Sequence, residues 1–381
     1  MPYEITRLNK SDYDEAIDFI NMVFSMDGNP IDFPQHLPNL YQPTEKHMQC
    51  HYAIKIDSRI KALLGIYPSE MVAGTESLRL AQIGAVSVHP YYREKGMMST
   101  LMDFAVGKIK DDSFDLACLG GMRERYKHFG FERCGFYLGY QIGRSNFTHN
   151  NLETKNISFK PISDDNSDLI NSMNNLYQKS AIHVKRTDSE FINICKTWKR
   201  TPLLAMLKDQ AIGYLVPAGE KAIAEIYAET DDWKLALIRD YIADREEVEI
   251  KVNPVDIEFA GLLNKFSEGR FTCESGNWQI FNYEKVLTAL LKVKSNYINL
   301  EYGNVIFSID GFGTYNITIS PPSIICQKTD QASTCVFKPE EFMRIAFGPQ
   351  PSYAVAELPD SLKIFNSWFP LPLAISEQDR V

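Results

Sequence analysis

The stretch that most constrains the fold of this chain is residues 81–109, where an apolar strand passes through a short basic turn into a helix. The run AQIGAVSVHP predicts a largely buried strand. After the turn YYREKG, apolar residues recur at helical spacing, at Met97, Leu101, Ala105 and Ile109. A helix that opens directly after a tight turn points several backbone N–H groups at one spot, which suits an anion such as phosphate.

The turn itself carries Arg93, Glu94, Lys95 and Gly96. Glycine serves where the backbone must approach a ligand closely or adopt a positive φ, and the two cations attract an anion. The preceding strand, residues 86–88, would pair with an extended, amide-bearing ligand if its edge is open. Taken alone, the turn has two interpretations, a phosphate-binding loop or a solvated joint between strand and helix.

Composition narrows the classes of function. The chain has 381 residues, enough for two or three domains, and a formal net charge of −9. That charge argues against a nucleic-acid binder and would suit a cationic substrate. Seven cysteines without a CxxC motif, and a polar N-terminus, predict free thiols in a reducing cytoplasm. No apolar run reaches the length of a membrane span, and the histidines lack zinc-site spacing, so we expect no metal.

The N-terminal region predicts a mixed α/β unit in the order strand, helix, three strands, helix, strand, helix, strand. Its strands are expected at 3–8, 51–57, 60–74, 78–90, 115–121 and 132–142, with helices from Asp12, from Gly96 and from Arg123. A long stretch rich in proline and polar residues, 27–47, separates the first helix from the second strand, and a loop of that length is typically functional or disordered.

Residues 201–245 show a weak internal repeat of this order of elements, in which strands are followed by a helix at residues 232–245. Here the strand-to-helix turn has no glycine and no basic pair. Glu229, Asp231 and Asp232 stand at the helix N-terminus instead, where they favour the helix but repel phosphate. We therefore expect this second unit to be structural. From about residue 285 a third α+β unit follows, with a strand over 298–310.

Two stretches carry a resemblance to a known family. IGAVSVHPYYREKGMMSTLM followed by LGGMRERYKHFGFE resembles the GNAT superfamily of N-acetyltransferases, whose pyrophosphate loop reads R/Q-x-x-G-x-G/A. Arg93, Gly96 and Met98 occupy those positions, and Met98 departs from the usual small residue. The resemblance assigns contacts with acetyl-CoA to Val86, Ser87, Val88, Arg93, Glu94, Lys95, Gly96, Met97, Met98 and Ser99.

The whole chain is similar, more narrowly, to the enhanced intracellular survival (Eis-like) branch. The resemblance implies an α+β (mixed α/β) fold with two tandem GNAT-type mixed sheets flanked by helices, plus a C-terminal α+β domain like sterol carrier proteins. The expected units are an active domain at 1–145, a degenerate second GNAT-like domain at 146–284 and the carrier-like domain at 285–381. The branch also implies a homo-oligomer, with hexamers known among its members.

The resemblance implies direct attack of an amine on the thioester. Tyr126, in RERYKHFGF, matches the tyrosine that protonates the departing thiolate, and a phenol with a pKa near 10 keeps its proton at neutral pH. Packing of its ring under the last strand is the alternative role. The C-terminal carboxylate of Val381 matches the base, with a water relay to Glu70 as the alternative.

Residues of the long loop are candidates for binding the acceptor. Asp27 and Asp32 would meet a cation, or serve as solvated turn residues. Phe33 and Tyr41, with Phe24, would line an aromatic pocket, although packing in the core suits Phe24.

We therefore expect an acetyl-CoA-dependent N-acetyltransferase acting on an aminoglycoside, a polyamine, another small cationic amine or a lysine side chain. The alternative is a non-catalytic sensor that binds acyl-CoA or lipid, or a scaffold.

Overall fold

The computed structural model describes residues 3–162, 166–320, 322–333 and 335–381. The predicted mixed α/β class is confirmed: mixed sheet, flanking helices and a second sheet are all present. Within the described ranges, thirteen strands join one mixed sheet, and four form a second, antiparallel except for its last pair.

The strands of the large sheet follow one another along the whole first two thirds of the chain. They are β1 Thr6–Arg7, β2 His51–Ile56, β3 Arg59–Ala73, β4 Glu76–Val88, β5 Leu116–Leu119, β6 Glu132–Gly143, β7 Ser158–Pro161, β8 Ile182–Val184, β9 Leu203–Leu207, β10 Gln210–Pro217, β11 Ala222–Ala228, β12 Glu247–Val252 and β13 Gly269–Ile280. The second sheet consists of β14 Gly303–Ile309, β15 Gly313–Ser320, β16 Ser323–Lys328 and β17 Val336–Phe337.

The helices alternate with these strands. They are α1 Tyr13–Phe24, α2 Phe33–His36, α3 Glu45–Met48, α4 Met97–Asp111, α5 Arg123–Tyr126, α6 Arg144–His149, α7 Ser167–Gln178, α8 Asp188–Cys195, α9 Asp231–Tyr241, α10 Ile257–Phe266, α11 Tyr283–Ser295, α12 Pro339–Phe347, α13 Ser352–Val355 and α14 Phe365–Trp368. The stretch 27–47, predicted without regular elements, thus contains two helices of one turn each, and the first strand is shorter than predicted.

Strands β4 and β5 run parallel but separate before β4 ends. Their register runs from Leu80–Leu116 to Ile83–Leu119, after which β5 stops and β4 continues to Val88. On its other side β4 stays paired with β3, through a bulge that places Ala85 at a φ of 53°. A bulge bends a strand and increases its twist. The last residues of β4 therefore curve away from β5, and a cleft opens between the two strands.

Strand β13 joins the two halves of the large sheet. It lies between β5 and β6 and is antiparallel to both, although about 150 residues of chain separate it from β5. The strand order then continues from β6 through β12 to β11, β10, β9 and β7. The first mixed sheet therefore passes without interruption into the second.

The second half repeats the pattern of the first. Strands β9, β10 and β11 form an antiparallel meander, the chain enters α9, and β12 returns parallel to β11. The side chain of Thr230 caps α9 by accepting a hydrogen bond from the N–H of Trp233, and Asp231 and Asp232 occupy the first turn. This junction is built as the sequence indicated, with carboxylates at the helix N-terminus.

The C-terminal sheet packs through a shared apolar core. Helix α11 contributes Leu290 to a cluster that also contains Leu80 of β4 and Phe307 of β14. Phe307 stacks on Phe342 of α12, with ring centroids 4.8 Å apart. One continuous core therefore connects the second sheet to the large one.

A buried chain of hydroxyls and one imidazole lies beneath the end of β4. The Tyr67 hydroxyl is 2.7 Å from that of Tyr41 and 3.0 Å from Nε2 of His51. Nδ1 of His51 lies 3.1 Å from the carbonyl oxygen of His47, so the neutral tautomer that donates there leaves Nε2 to accept from Tyr67. Burial lowers the pKa of His51 to about 4.

The lowered pKa of His51 predicts loss of stability in mild acid. Between its ordinary pKa of 6.5 and about 4, the unfolded chain takes up a proton that the folded chain refuses, so the free energy of unfolding falls as the pH falls. The shift amounts to about 3 kcal/mol. Urea unfolding from pH 7 to 4 should therefore show a shallower loss in His51→Gln than in the wild type. The exposed His128→Gln serves as the control, and equal slopes in all three proteins would contradict the assignment.

Candidate active site

A cleft of about 540 Å³ lies between the end of β4 and the start of α4. It brings together nine of the ten residues expected to contact the coenzyme, namely Val86, Ser87, Val88, Arg93, Glu94, Gly96, Met97, Met98 and Ser99. Lys95 lies outside its wall: its ammonium sits 4.6 Å from the ring centre of Tyr92, and its carbonyl accepts from Tyr3. Phe24, the aromatic candidate from α1, lines the cleft as well.

The turn at the cleft floor exposes the N-terminus of α4. Gly96 has a φ of 77° and Glu94 a φ of 63°, and the first intrahelical bond runs from the N–H of Thr100 to the carbonyl of Gly96. The N–H groups of Met97, Met98 and Ser99 precede that bond, so they remain available at the helix end. A Cβ added to Gly96 would meet no protein atom within 4 Å. The space above the glycine is therefore open to a ligand.

Two guanidinium groups stand at this cleft without a carboxylate partner among the described residues. Arg93, predicted from the turn, has only the sulfur of Met26 within reach, at 4.0 Å. Arg125, from α5, also lines the cleft, although it is not among the site residues predicted from the sequence. Its signal was its position directly before Tyr126 in RERY. Unpaired cations beside free helix N–H groups form a site suited to phosphates.

Met98 does not block the helix N-terminus. It is partly buried and packs against the apolar cluster that includes Leu101 and Tyr126. Met98 is therefore held in part by the core beneath α4 and also forms part of the cleft wall. The departure from a small residue in the loop motif is compatible with an open phosphate site.

The last residues of β4 offer a free edge to the cleft. Beyond Ile83 the strand has no partner on the β5 side among the described residues, while its other edge remains bonded to β3. Free backbone groups on a strand edge pair readily with another extended chain. The pantetheine arm of a coenzyme, with its two amides, is such a chain.

Tyr126 ends α5 directly below the end of β5. Its ring packs over Gly121, since a Cβ there would lie 3.0 Å from Cε2 of the tyrosine, and the residue is only 6% exposed. Burial raises the pKa of the Tyr126 hydroxyl, partly offset by Arg125. The phenol is accordingly neutral at physiological pH and holds a proton it can donate.

The C-terminal tail enters the same region from the opposite side. A Cβ on Gly84 would lie 3.1 Å from Cγ2 of Val381 and 3.2 Å from Cε2 of Tyr67. Val381 also lines a small cavity with Leu119 and Gly120, where β5 ends. The chain terminus therefore sits at the point where β4 and β5 separate.

Glu70, the alternative base, is engaged elsewhere. Its carboxylate pairs with Lys185 and accepts from the hydroxyl of Ser77, and these contacts lower its pKa. Glu70 is not among the described residues that line the cavity beside Val381. Ser69, which precedes Glu70 in the chain, and Lys185 do line it.

The cavity beside Val381 is a second cavity, with a volume of about 140 Å³. It lies on the face of β4 opposite to α4. Leu37, Leu40, Tyr67, Glu190 and Val381 are among its lining residues. It is enclosed jointly by the loop between α2 and α3, by α8 and by the tail.

The four residues predicted to bind the acceptor take mainly structural positions. Asp32 caps α2, accepting from the N–H of Gln35 at 3.3 Å. Phe33 and Tyr41 are buried, with ring centroids 5.1 Å apart. The side chain of Asp27 lies outside the described part of the structure. The segment is nonetheless near the second cavity, because Leu37 and Leu40, between these residues, line it.

The described residues contain neither a cluster of metal ligands nor a membrane-spanning helix. No group of three or more His, Cys, Asp or Glu side chains within them is arranged to hold a metal ion. Within the same ranges, no helix is both long enough and apolar enough to span a bilayer.

Comparisons with known proteins agree with this geometry. Residues 4–134 match the family described as "Acetyltransferase (GNAT) domain". No curated protein sequence matches the chain at a significant level.

Several solved structures share the fold over nearly the whole chain. A GCN5-related N-acetyltransferase from Kribbella flavida is 12% identical, with a TM-score of 0.71, and the alignment covers 99% of this chain and 98% of the other. A GCN5-related N-acetyltransferase from Anabaena variabilis is 14% identical, with a TM-score of 0.71 and coverage of 98% and 99%. Eis1 from Mycobacterium abscessus is 13% identical, with a TM-score of 0.69 and coverage of 99% and 100%. Residues 4–134 therefore carry the sequence pattern and the fold of a GNAT acetyltransferase domain.

Proposed function

We propose that this protein is an acetyl-CoA-dependent N-acetyltransferase that moves an acetyl group onto a primary amine by direct attack. The observation that carries the proposal is the meeting, at one cleft, of a free strand edge and an open helix N-terminus with two arginines that have no carboxylate partner among the described residues. A buried neutral phenol, Tyr126, lies in the apolar cluster beneath the same helix. The first feature suits the amides of pantetheine, the second suits phosphates, and the third supplies a proton to a leaving group.

Tyr126 is the proposed general acid. The amine nitrogen forms a bond to the carbonyl carbon of the thioester, the carbon–sulfur bond breaks, and the proton that the nitrogen then loses returns through solvent to the phenolate of Tyr126. The departing thiolate takes the phenolic proton, which burial keeps on the hydroxyl at neutral pH. The location of Tyr126 under the end of β5 supports the role, because the thioester would lie where β4 and β5 separate.

Val381 is the proposed base, through its terminal carboxylate. An amine arrives as an ammonium ion and must lose a proton before it attacks. A carboxylate with an ordinary pKa of about 3.5 is a weak base, and removal of water from around it makes it stronger. Contacts of Val381 with Gly84 and Tyr67 support this assignment, since they place the chain end in a partly buried position at the separating strands.

The proposed acceptor is a small cationic amine or a lysine side chain. Aminoglycosides, polyamines and arylalkyl amines share the required charge. The second cavity supports this class, because Glu190 and the proposed base Val381 are both among its lining residues. A net charge of −9 favours the approach of such cations.

We propose three units for the chain, at 1–145, 146–284 and 285–381, with the last resembling sterol carrier proteins and acting as a scaffold. The repeated order of strands, helix and parallel return strand supports the first division. The separate four-stranded sheet supports the second. A homo-oligomer remains part of the proposal.

Gly96→Asp should weaken binding of coenzyme A by placing a carboxylate among its phosphates. Aspartate tolerates a positive φ better than most residues, and a Cβ at this position meets no protein atom within 4 Å. Calorimetry at fixed salt should give a Kd at least about tenfold above that of Gly96→Asn, which matches the shape without the charge. A second control is Gly107→Asp, on the exposed side of the same helix. Equal Kd values for the Asp and Asn variants at position 96 would rule out a phosphate site there.

Tyr126→Phe should lower kcat by about 10²- to 10⁴-fold, the usual contribution of a general acid, and leave the affinity for acetyl-CoA unchanged. Thiol release over a panel of amines measures both. Tyr52→Phe removes a hydroxyl from another tyrosine of the same core and should turn over normally. Wild-type turnover in Tyr126→Phe would remove the acid assignment. If the wild type releases no thiol with any amine yet binds coenzyme A, the non-catalytic sensor is favoured instead.

Adding one glycine after Val381 should lower kcat by about 10²- to 10⁴-fold, because it moves the carboxylate by about 3.8 Å while keeping every side chain. Val381→Thr is the matched control, since it keeps the shape of the side chain that contacts Gly84 and leaves the carboxylate at the same position. Steady-state kinetics and thermal melting of both variants separate catalysis from folding. Full activity in the extended chain would show that another group is the base.

A further inference from the structure

The tail that carries Val381 is held by a fully buried ion cluster. The side chain of Arg186 is 0% exposed, and those of its two partners, Asp379 and Glu225, are 1% exposed. Nε of Arg186 lies 2.7 Å from Oδ1 of Asp379, and one terminal nitrogen lies 2.9 Å from Oδ2. Both oxygens of the tail carboxylate are thus engaged by one guanidinium.

The other side of the same guanidinium engages the second unit. Its terminal nitrogens lie 2.9 and 2.7 Å from the two oxygens of Glu225, on β11. The planar guanidinium has five donors in a fixed fork, so it can bridge two carboxylates only when both are held in its plane. The position of Asp379 is therefore tied to β11.

Hydroxyl groups satisfy the remaining lone pairs of the cluster. Tyr177 donates to Oδ2 of Asp379 at 2.7 Å, and Tyr214 and Ser376 donate to Glu225 at 2.7 and 2.5 Å. One cation still faces two anions. Burial raises the pKa of Asp379 despite Arg186, whereas Arg186 and the hydroxyls outweigh burial at Glu225 and lower its pKa.

Further contacts hold the residues on either side of Asp379. Gln82 of β4 donates to the Asp379 carbonyl at 2.7 Å, and Gln378 donates to the carbonyl of Cys195 at 2.8 Å. Arg380 donates to the hydroxyl of Tyr137 at 2.7 Å. One residue, Arg380, separates the clamped Asp379 from Val381, so their Cα atoms are at most about 7 Å apart.

We infer that Arg186 is a positioning residue for acetyl transfer: together with Glu225 it fixes Asp379, and thereby keeps the carboxylate of Val381 at the separation of β4 and β5. The inference rests on the proposed role of Val381 as base. Under this inference, the proposed second unit contributes to the active site of the first, because Arg186 and Glu225 belong to residues 146–284. Arg186 acts through the tail and touches neither substrate.

The alternative role for this ion cluster is purely structural: it would stabilise the fold without affecting the catalytic step. Breaking a buried ion pair costs about 3–5 kcal/mol in either case, so loss of stability cannot distinguish the two. The catalytic rate does distinguish the two roles, because a displacement of a reacting group by about 1 Å lowers the rate on the order of 100-fold.

The test compares Asp379→Asn with Asp115→Asn in the full chain. Asp115 is also a buried carboxylate, paired with Lys285 at 2.8 Å, but it stands at the start of β5 and has no contact with the tail. Both variants should melt at lower temperature. Only Asp379→Asn should lose kcat, by about 10- to 100-fold, with an unchanged Kd for coenzyme A. Added imidazole, as an external base, should restore part of that loss and leave Asp115→Asn unaffected.

Equal kcat in the two folded variants, or no response to imidazole, would overturn the positioning role. If Asp379→Asn does not fold, Tyr177→Phe, which removes one hydrogen bond to the same carboxylate, should show a smaller loss of kcat with the same response. Normal kcat there would equally overturn it. The chain extended by glycine separates the two hypotheses: if it is inactive while Asp379→Asn matches its control, only the clamp is wrong. If it is fully active, the base itself is wrong.

Discussion

The early end of the pairing between β4 and β5 is the constraint on which the site depends. Two parallel strands that stayed bonded to their ends would leave no free edge, no cleft and no passage between the faces of the sheet. Because β5 stops at Leu119 while β4 continues to Val88, backbone groups of β4 become available to a ligand. The positive φ of Ala85 strengthens the separation, and strain of this kind is typically retained where function requires it.

Groups from distant parts of the chain converge on that separation. The N-terminus of α4 closes one side, and Tyr126 lies below the end of β5. The tail reaches the other side through contacts with Gln82 and Gly84. Each of these groups has its own anchor, so the arrangement does not rely on the ligand to assemble it. A preorganised site loses little entropy when the ligand binds.

The sequence predicted local features, such as turns and helices, but not the contacts between residues far apart in the chain. The turn around Gly96 and the apolar face of α4 were readable because strand, turn and helix are consecutive in the chain. The position of Tyr126 was readable from its motif. The insertion of β13 between β5 and β6 was not, since periodicity says nothing about which strands pair. Arg186 looked like any arginine in a polar stretch, because its partners lie 39 and 193 residues away. The capping role of Asp32 and the burial of Tyr41 were not readable from the sequence, because helix caps and buried hydroxyls use the same residue types as binding sites.

The place of β13 bears on how such a chain can fold and evolve. Until residues 269–280 arrive, β5 and β6 both expose an unpaired edge, and their partner is separated from β5 by about 150 residues. Pairings over such separations slow folding and leave the edges open to association with other chains. The two halves of the large sheet therefore cannot mature one after the other, as independent domains do during synthesis. Nor can either half be exchanged for a homologous one without also supplying β13, the strand that pairs with both β5 and β6.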